Sequence, residues 1–191
     1  NMLYNVQLMK LAGADGVAAY GVIMYVNFIF LATFIGYSIG SAPIVGYHFG
    51  AQNHYELKNL FRKSIGLNGA AGLFMIAAAQ LAADPLMRIF VGYDGDLFAM
   101  TRDGFRLYAM AFLITGLNIF GSAFFTALGN GGVSALISFL RTLVFQVLSV
   151  LILPVYLGVS GIWLAVVVAE VLSLAVTAGL LMANRKKYGF G

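Results

Sequence analysis

Five long apolar runs, separated by short polar or glycine-rich breaks, organise this sequence of 191 residues. The first, about 17–48, contains no Asp, Glu, Lys or Arg. The second, about 57–83, is basic at its start and apolar from Ile65. The third, about 97–128, has Arg102, Asp103 and Arg106 crowded at its entrance. The fourth, about 133–157, holds one charge, Arg141, and the fifth, about 162–183, holds one, Glu170. A helix crossing the hydrocarbon core of a bilayer needs about 20 mostly apolar residues, so each run predicts a membrane span. The first is long enough for roughly 45–50 Å of helix against a core of about 30 Å, and must tilt, bend or project into water. Gly36, Gly40 and Pro43 mark where a bend is expected. Ahead of it, residues 1–12 predict a partial helix, the last part of a span whose first half lies upstream, which makes the chain a fragment. Gly50–Asn53, Asp84–Asp96, Gly129–Gly132 and Gly158–Gly161 supply the breaks. Such short connections predict antiparallel neighbours, and the fold class is all-α: a polytopic membrane helix bundle forming a single unit, 1–191.

Composition agrees with this pattern and excludes its rivals. Hydrophobic residues make up 61% of the chain and charged ones 9%, against roughly a quarter charged in a soluble domain. There is no cysteine, so neither a disulfide framework nor a thiolate metal site is available. The net charge of +4 is distributed as topological anchors. Lys58, Arg62 and Lys63 stand against Glu56 in one loop, and Arg185, Lys186 and Lys187 follow the last span. Between them, the 84–103 segment sets Asp84, Asp94, Asp96 and Asp103 against Arg88 and Arg102. This alternation predicts that the 48–63 loop, the 129–132 loop and the C-terminus are cytoplasmic. It leaves no basic patch with base-stacking aromatics for nucleic acid.

Polar residues inside the spans fall on stripes. Thr115, Asn118, Ser122 and Thr126 share one helix face; so do Ser134, Ser138, Thr142, Gln146 and Ser149; so do Glu170, Ser173 and Thr177. Two readings fit: hydrogen bonds between helices, or a polar interior that a ligand enters. The amides of Asn118 and Gln146 offer both donor and acceptor to a passing ligand. Glu170 is the sharpest case, because an acidic residue at mid-membrane costs about 2.5–3.5 kcal/mol to insert. Its two roles are proton or ion coupling, and a structural partnership with a basic group such as Arg141. Lys10 reads as a snorkelling anchor.

Gly36/Gly40 and Gly46/Gly50 have the small-xxx-small spacing of close helix approach. Gly158-Val159-Ser160-Gly161 has the GxSG form found around nucleophilic serines of intramembrane proteases. Neither histidine, His48 or His54, follows it on a later helix to serve as base, so a tight turn is expected and no enzyme. The same histidines lack partners at metal-ligand spacing, and no metal site is expected.

Longer stretches resemble the MATE (multidrug and toxic compound extrusion) transporter family. They are Leu11-Ala12-Gly13-Ala14-Asp15-Gly16-Val17-Ala18-Ala19-Tyr20-Gly21, then Gly40-Ser41-Ala42-Pro43-Ile44-Val45-Gly46-Tyr47-His48-Phe49-Gly50-Ala51-Gln52. Ala127-Leu128-Gly129-Asn130-Gly131 and Gly158-Val159-Ser160-Gly161-Ile162-Trp163-Leu164-Ala165 continue the likeness. It extends over essentially the whole chain, as one six-helix lobe with its first helix truncated: the C-terminal lobe, from the end of helix 7 to helix 12. The resemblance implies a missing N-terminal lobe, a cavity between lobes, and export of organic, often cationic and aromatic, compounds. Export would be a cation-coupled antiport driven by a proton or sodium gradient, without a cofactor, in the plasma (inner) membrane. Asn118, Gln146, Thr115, Ser122 and Asn27 are the candidate cavity residues, and Glu170 the candidate ion-coupling residue. The sodium-coupled branch carries a carboxylate near the place of Asn118, so a cation site of that kind is not expected in this lobe. The alternatives are a lipid-linked oligosaccharide flippase of the same superfamily and a non-transporting membrane scaffold.

Overall fold

A computed structural model describes residues 2–191; Asn1, with which the expected partial helix begins, lies outside the described residues. Helix α1 runs Met2–Gly50, α2 His54–Val91, α3 Gly95–Ala109 and α4 Phe112–Ala127. Helix α5, Gly131–Phe139, continues through a π-helical stretch, Leu140–Phe145, into α6, Gln146–Leu157. Helix α7, Val159–Tyr188, completes the fold. Four of these rods are long and apolar enough to cross a membrane, and α3 with α4, bent by 47° between them, is so when the two are taken together. Large apolar side chains face outward on them, among them Ile39, Phe74, Leu81 and Val155, as contact with lipid tails requires. The chain is a multi-pass integral membrane protein.

The sequence breaks become helix caps. Asn53 accepts a hydrogen bond from the Glu56 amide, Asp94 from those of Asp96 and Leu97, and Asn130 from that of Val133. Each satisfies amides that a helix start leaves unpaired.

One expectation about glycine needs correction, and one glycine breaks a helix where no break is expected. The non-helical residue in α1 is Gly13 (φ 64°, ψ −151°), and none falls at Gly36, Gly40 or Pro43. That backbone region is open essentially to glycine alone. The chain therefore breaks between the short first helix and the long span after it, while Pro43 is carried inside the helix. Nor do the small-xxx-small pairs mediate close packing within this lobe. A side chain at Gly36, Gly40 or Gly50 would meet open space, and Gly46 makes only an ordinary contact with the Ala127 carbonyl. Close approaches occur at helix crossings instead. A Cβ at Gly72 would stand 2.9 Å from the Phe112 carbonyl oxygen, and one at Gly104 would stand 2.8 Å from the Trp163 ring.

The interior has two apolar clusters. One gathers Tyr4, Leu8, Tyr20, Ile23, Phe105, Phe112, Ile162 and Trp163. The other is aromatic, with Phe61, Phe120, Phe124 and Phe190 in mutual ring contact at 4.9–6.3 Å. Buried polar side chains occupy the helix segments between the clusters: Ser64 and Asn68 on α2, Thr115 and Asn118 on α4, Glu170, Ser173 and Thr177 on α7. A polar waist thus crosses the lobe between two apolar ends.

Candidate functional site

At this waist the Glu170 carboxylate receives three side-chain donors. Arg141 Nη2 donates to Oε1 at 2.7 Å, and Arg141 Nε lies 2.9 Å from Oε1 and 3.1 Å from Oε2. Asn118 Nδ2 donates to Oε2 at 2.7 Å and to the Glu170 backbone carbonyl at 3.0 Å. The guanidinium fork matches the carboxylate edge, the geometry in which arginine pairs most strongly. Only 6% of the Glu170 side chain and 19% of the Arg141 side chain remain exposed. Asn118 is wholly buried, and its Oδ1 has no hydrogen-bond partner.

The backbone explains how Arg141 reaches this position. It lies in the π-helical stretch Leu140–Phe145, where a widened turn changes the angular register of the residues around it. Single π turns inside α-helices cluster at functional sites. The stripe expected from Ser134 to Ser149 assumes a uniform α-helix. It divides at the π turn: Ser134 and Ser138 bond Ser122, whereas Thr142 and Gln146 turn to a cavity.

That cavity, about 400 Å³, is only partly enclosed. Asn27, Thr115, Arg141, Thr142, Gln146 and Glu170 give it polar walls. Tyr20, Phe28, Tyr108 and Phe112 contribute rings. The pairing of Arg141 with Glu170 cancels charge where the wall is most polar, leaving amides, hydroxyls and aromatic surface to meet a ligand.

Of the residues singled out from sequence, Asn27, Thr115, Gln146 and Glu170 line this one cavity. Asn118 stands behind the wall, holding Glu170. Ser122 is not at the cavity. Its hydroxyl shares hydrogen bonds with those of Ser134 and Ser138, both at 2.9 Å, and joins α4 to α5. Thr126 extends that hydroxyl group through a 2.7 Å bond to Ser134. The aromatic walls went unread because Tyr20, Phe28 and Tyr108 look like any membrane-facing or core ring. In the sequence Thr142 stands out only as one member of a stripe.

The MatE family profile matches residues 1–152. No curated protein matches the chain. An inward-facing multidrug resistance MATE transporter of the MOP superfamily superposes with a TM-score of 0.91 at 20% identity, over 97% of this chain and 43% of that one. An outward-facing MATE transporter of the same superfamily gives 0.88 at 21% identity, with the same coverage. A MOP superfamily transporter from Pyrococcus furiosus, described as having a binding pocket of reversed polarity, gives 0.86 at 20% identity, over 98% of this chain and 42% of that one. The chain therefore spans less than half the length of these solved transporters, and at such identities the likeness is one of fold. Taken with the match across most of its length, this chain belongs to the MatE family of membrane transporters.

Proposed function

We propose that the chain forms one lobe of a cation-coupled antiporter exporting organic compounds, with cationic aromatic molecules as the main class. The observation that carries this reading is the partly enclosed cavity walled by Asn27, Thr115, Gln146 and Glu170. A second lobe facing that opening would enclose a ligand between the two, and rocking of one lobe against the other would expose it alternately to either side of the membrane. The lobe sits in the plasma (inner) membrane with its C-terminus in the cytoplasm.

Glu170 is the coupling group in this reading. In its ionised form it is held by Arg141 and Asn118. A proton or substrate cation that takes the carboxylate must displace Arg141, so the two compete for one site. Competition of that kind is what antiport requires: each ion's binding expels the other. A proton gradient, or a sodium gradient acting on the same carboxylate, supplies the driving force.

Resistance and dye efflux in cells expressing the full-length transporter test the proposal, at matched membrane levels of each variant. Glu170→Gln removes the exchangeable charge and is expected to reduce gradient-driven efflux to the background of cells without the transporter. Gln146→Ala should weaken substrate binding, and Ser122→Ala should leave efflux unchanged. Normal gradient-driven efflux by Glu170→Gln would remove the coupling role. Loss of folded protein in every cavity variant, with no transport phenotype apart from it, would favour a scaffold.

A further inference from the structure

Helix α2 contributes no residue to the central cavity, yet one of its outward faces carries a pattern of its own. Tyr55, Asn59, Arg62, Gly66, Ala70 and Leu73 follow at intervals of three and four and so share one stripe. All but the half-buried Asn59 are exposed. The stripe changes character along its length. At its start, Tyr55, Lys58, Asn59 and Arg62 line a surface pocket of about 370 Å³. Below it, Gly66 has nothing within 4 Å of where a side chain would begin, and neither does Gly69 beside it. Leu73, 62% exposed, closes the lower end.

From this face we propose that α2 carries a binding furrow for an anionic phospholipid, its headgroup in the basic pocket and an acyl chain along the glycines. The charge is uncompensated: among the described residues neither Lys58 nor Arg62 has a carboxylate within ion-pair distance. The neighbouring acid, Glu56, instead accepts from Asn59 Nδ2 at 3.3 Å. The upper edge of the pocket, at Tyr55, lies in the first turn of α2, where the helix dipole adds positive potential. The last turn of α7 brings Arg185, Lys186 and Lys187 to the same end of the molecule, since Gly189 abuts His54 at the start of α2. A guanidinium and an ammonium one turn apart fit a phosphodiester, the fork gripping two oxygens and the lysine acting as a point charge. The exposed Tyr55 ring is of the kind that settles among headgroups. A free phosphate would use only the upper half of this arrangement. The track beneath it, lacking a side chain at Gly66 and Gly69, fits a hydrocarbon tail continuous with the headgroup.

Native mass spectrometry of the full-length protein, equilibrated with dioleoyl-phosphatidylglycerol or dioleoyl-phosphatidylcholine, tests the furrow. The wild type should retain the anionic lipid in preference, and that preference should fall by about fivefold for each cation removed in Lys58→Gln and Arg62→Gln. Gly66→Phe leaves both cations and fills the track, and should lower retention as well. Millimolar inorganic phosphate should not displace the lipid. Equal retention of the two lipids by the wild type would overturn the proposal, as would an undiminished preference in both the charge variants and Gly66→Phe. Displacement by inorganic phosphate would replace the lipid with a soluble anion. If the charge variants fail to fold, as read by circular dichroism, the wild-type comparison and Gly66→Phe, which points into open space, still decide.

Discussion

Removing one half of the Arg141–Glu170 pair strands the other half where little water can reach it. Breaking a buried pair from one side costs about 3–5 kcal/mol, and replacing both partners by apolar residues of similar volume is often neutral. Arg141 keeps 19% of its side chain exposed, so Glu170→Gln should fall near the lower limit, about 3 kcal/mol. Arg141→Met with Glu170→Met should recover most of that loss while abolishing coupled efflux. Thermal unfolding in detergent measures the first effect, and gradient-driven dye efflux the second. Recovery of efflux by the double variant would show the pair to be scaffolding alone. Arg141 and Glu170 were both legible in the sequence as lone charges within apolar runs. That they meet through one edge of the guanidinium, Nε and Nη2, with Asn118 buttressing the carboxylate, was not legible, because the contact depends on the register of two helices and on a π turn.

At the scale of elements, the bend between α3 and α4 contains neither proline nor glycine: its sequence, Leu107-Tyr108-Ala109-Met110-Ala111-Phe112, is an ordinary run of helix formers. Its cause is tertiary. The Met110 amide bonds Leu107 rather than Arg106, and the Arg106 carbonyl freed in this way accepts from Gln80 Nε2 of α2 at 2.9 Å. Gln80→Leu removes that donor and leaves a half-buried carbonyl unpaired, at a cost of about 1–3 kcal/mol. A lowered melting temperature, with the loss confined to Gln80→Leu and not to Gln80→Glu held protonated at low pH, is the expected result. An unchanged melting temperature in Gln80→Leu would mean that packing alone holds the bend. Spans and caps were readable here because each depends on local chemistry: the length of an apolar run, or an Asn or Asp at its edge. Bend and π turn were not, because each depends on what another helix offers a displaced backbone group. The glycines of α1 show the same division. Their spacing predicted contact, but the side of the helix on which a partner lies is a property of the assembled lobe.

For the molecule as a whole, the cavity is only partly enclosed by a lobe that spans about 43% of the solved MATE transporters it resembles. The proposed second lobe therefore predicts that in-frame coding sequence ahead of Asn1 specifies about six further spans, each of about 20 apolar residues. Reading that DNA is the direct check. A start codon immediately upstream would instead require two copies of this chain to enclose the cavity, and crosslinking across the cavity rim would then give dimers.

The phenylalanine cluster carries a consequence for how the protein is made. Phe190 packs at 4.9 Å from Phe61 and 5.0 Å from Phe124, and Tyr188 accepts a 2.8 Å bond from Asn130. The ribosome synthesises Phe61 and Phe124 long before it reaches Phe190. The earlier spans are thus handed to the bilayer while this end of the lobe still lacks its closing ring. Translocation and assembly are separated in time: the earlier helices wait, inserted but unlatched, for Phe190 to emerge and join them.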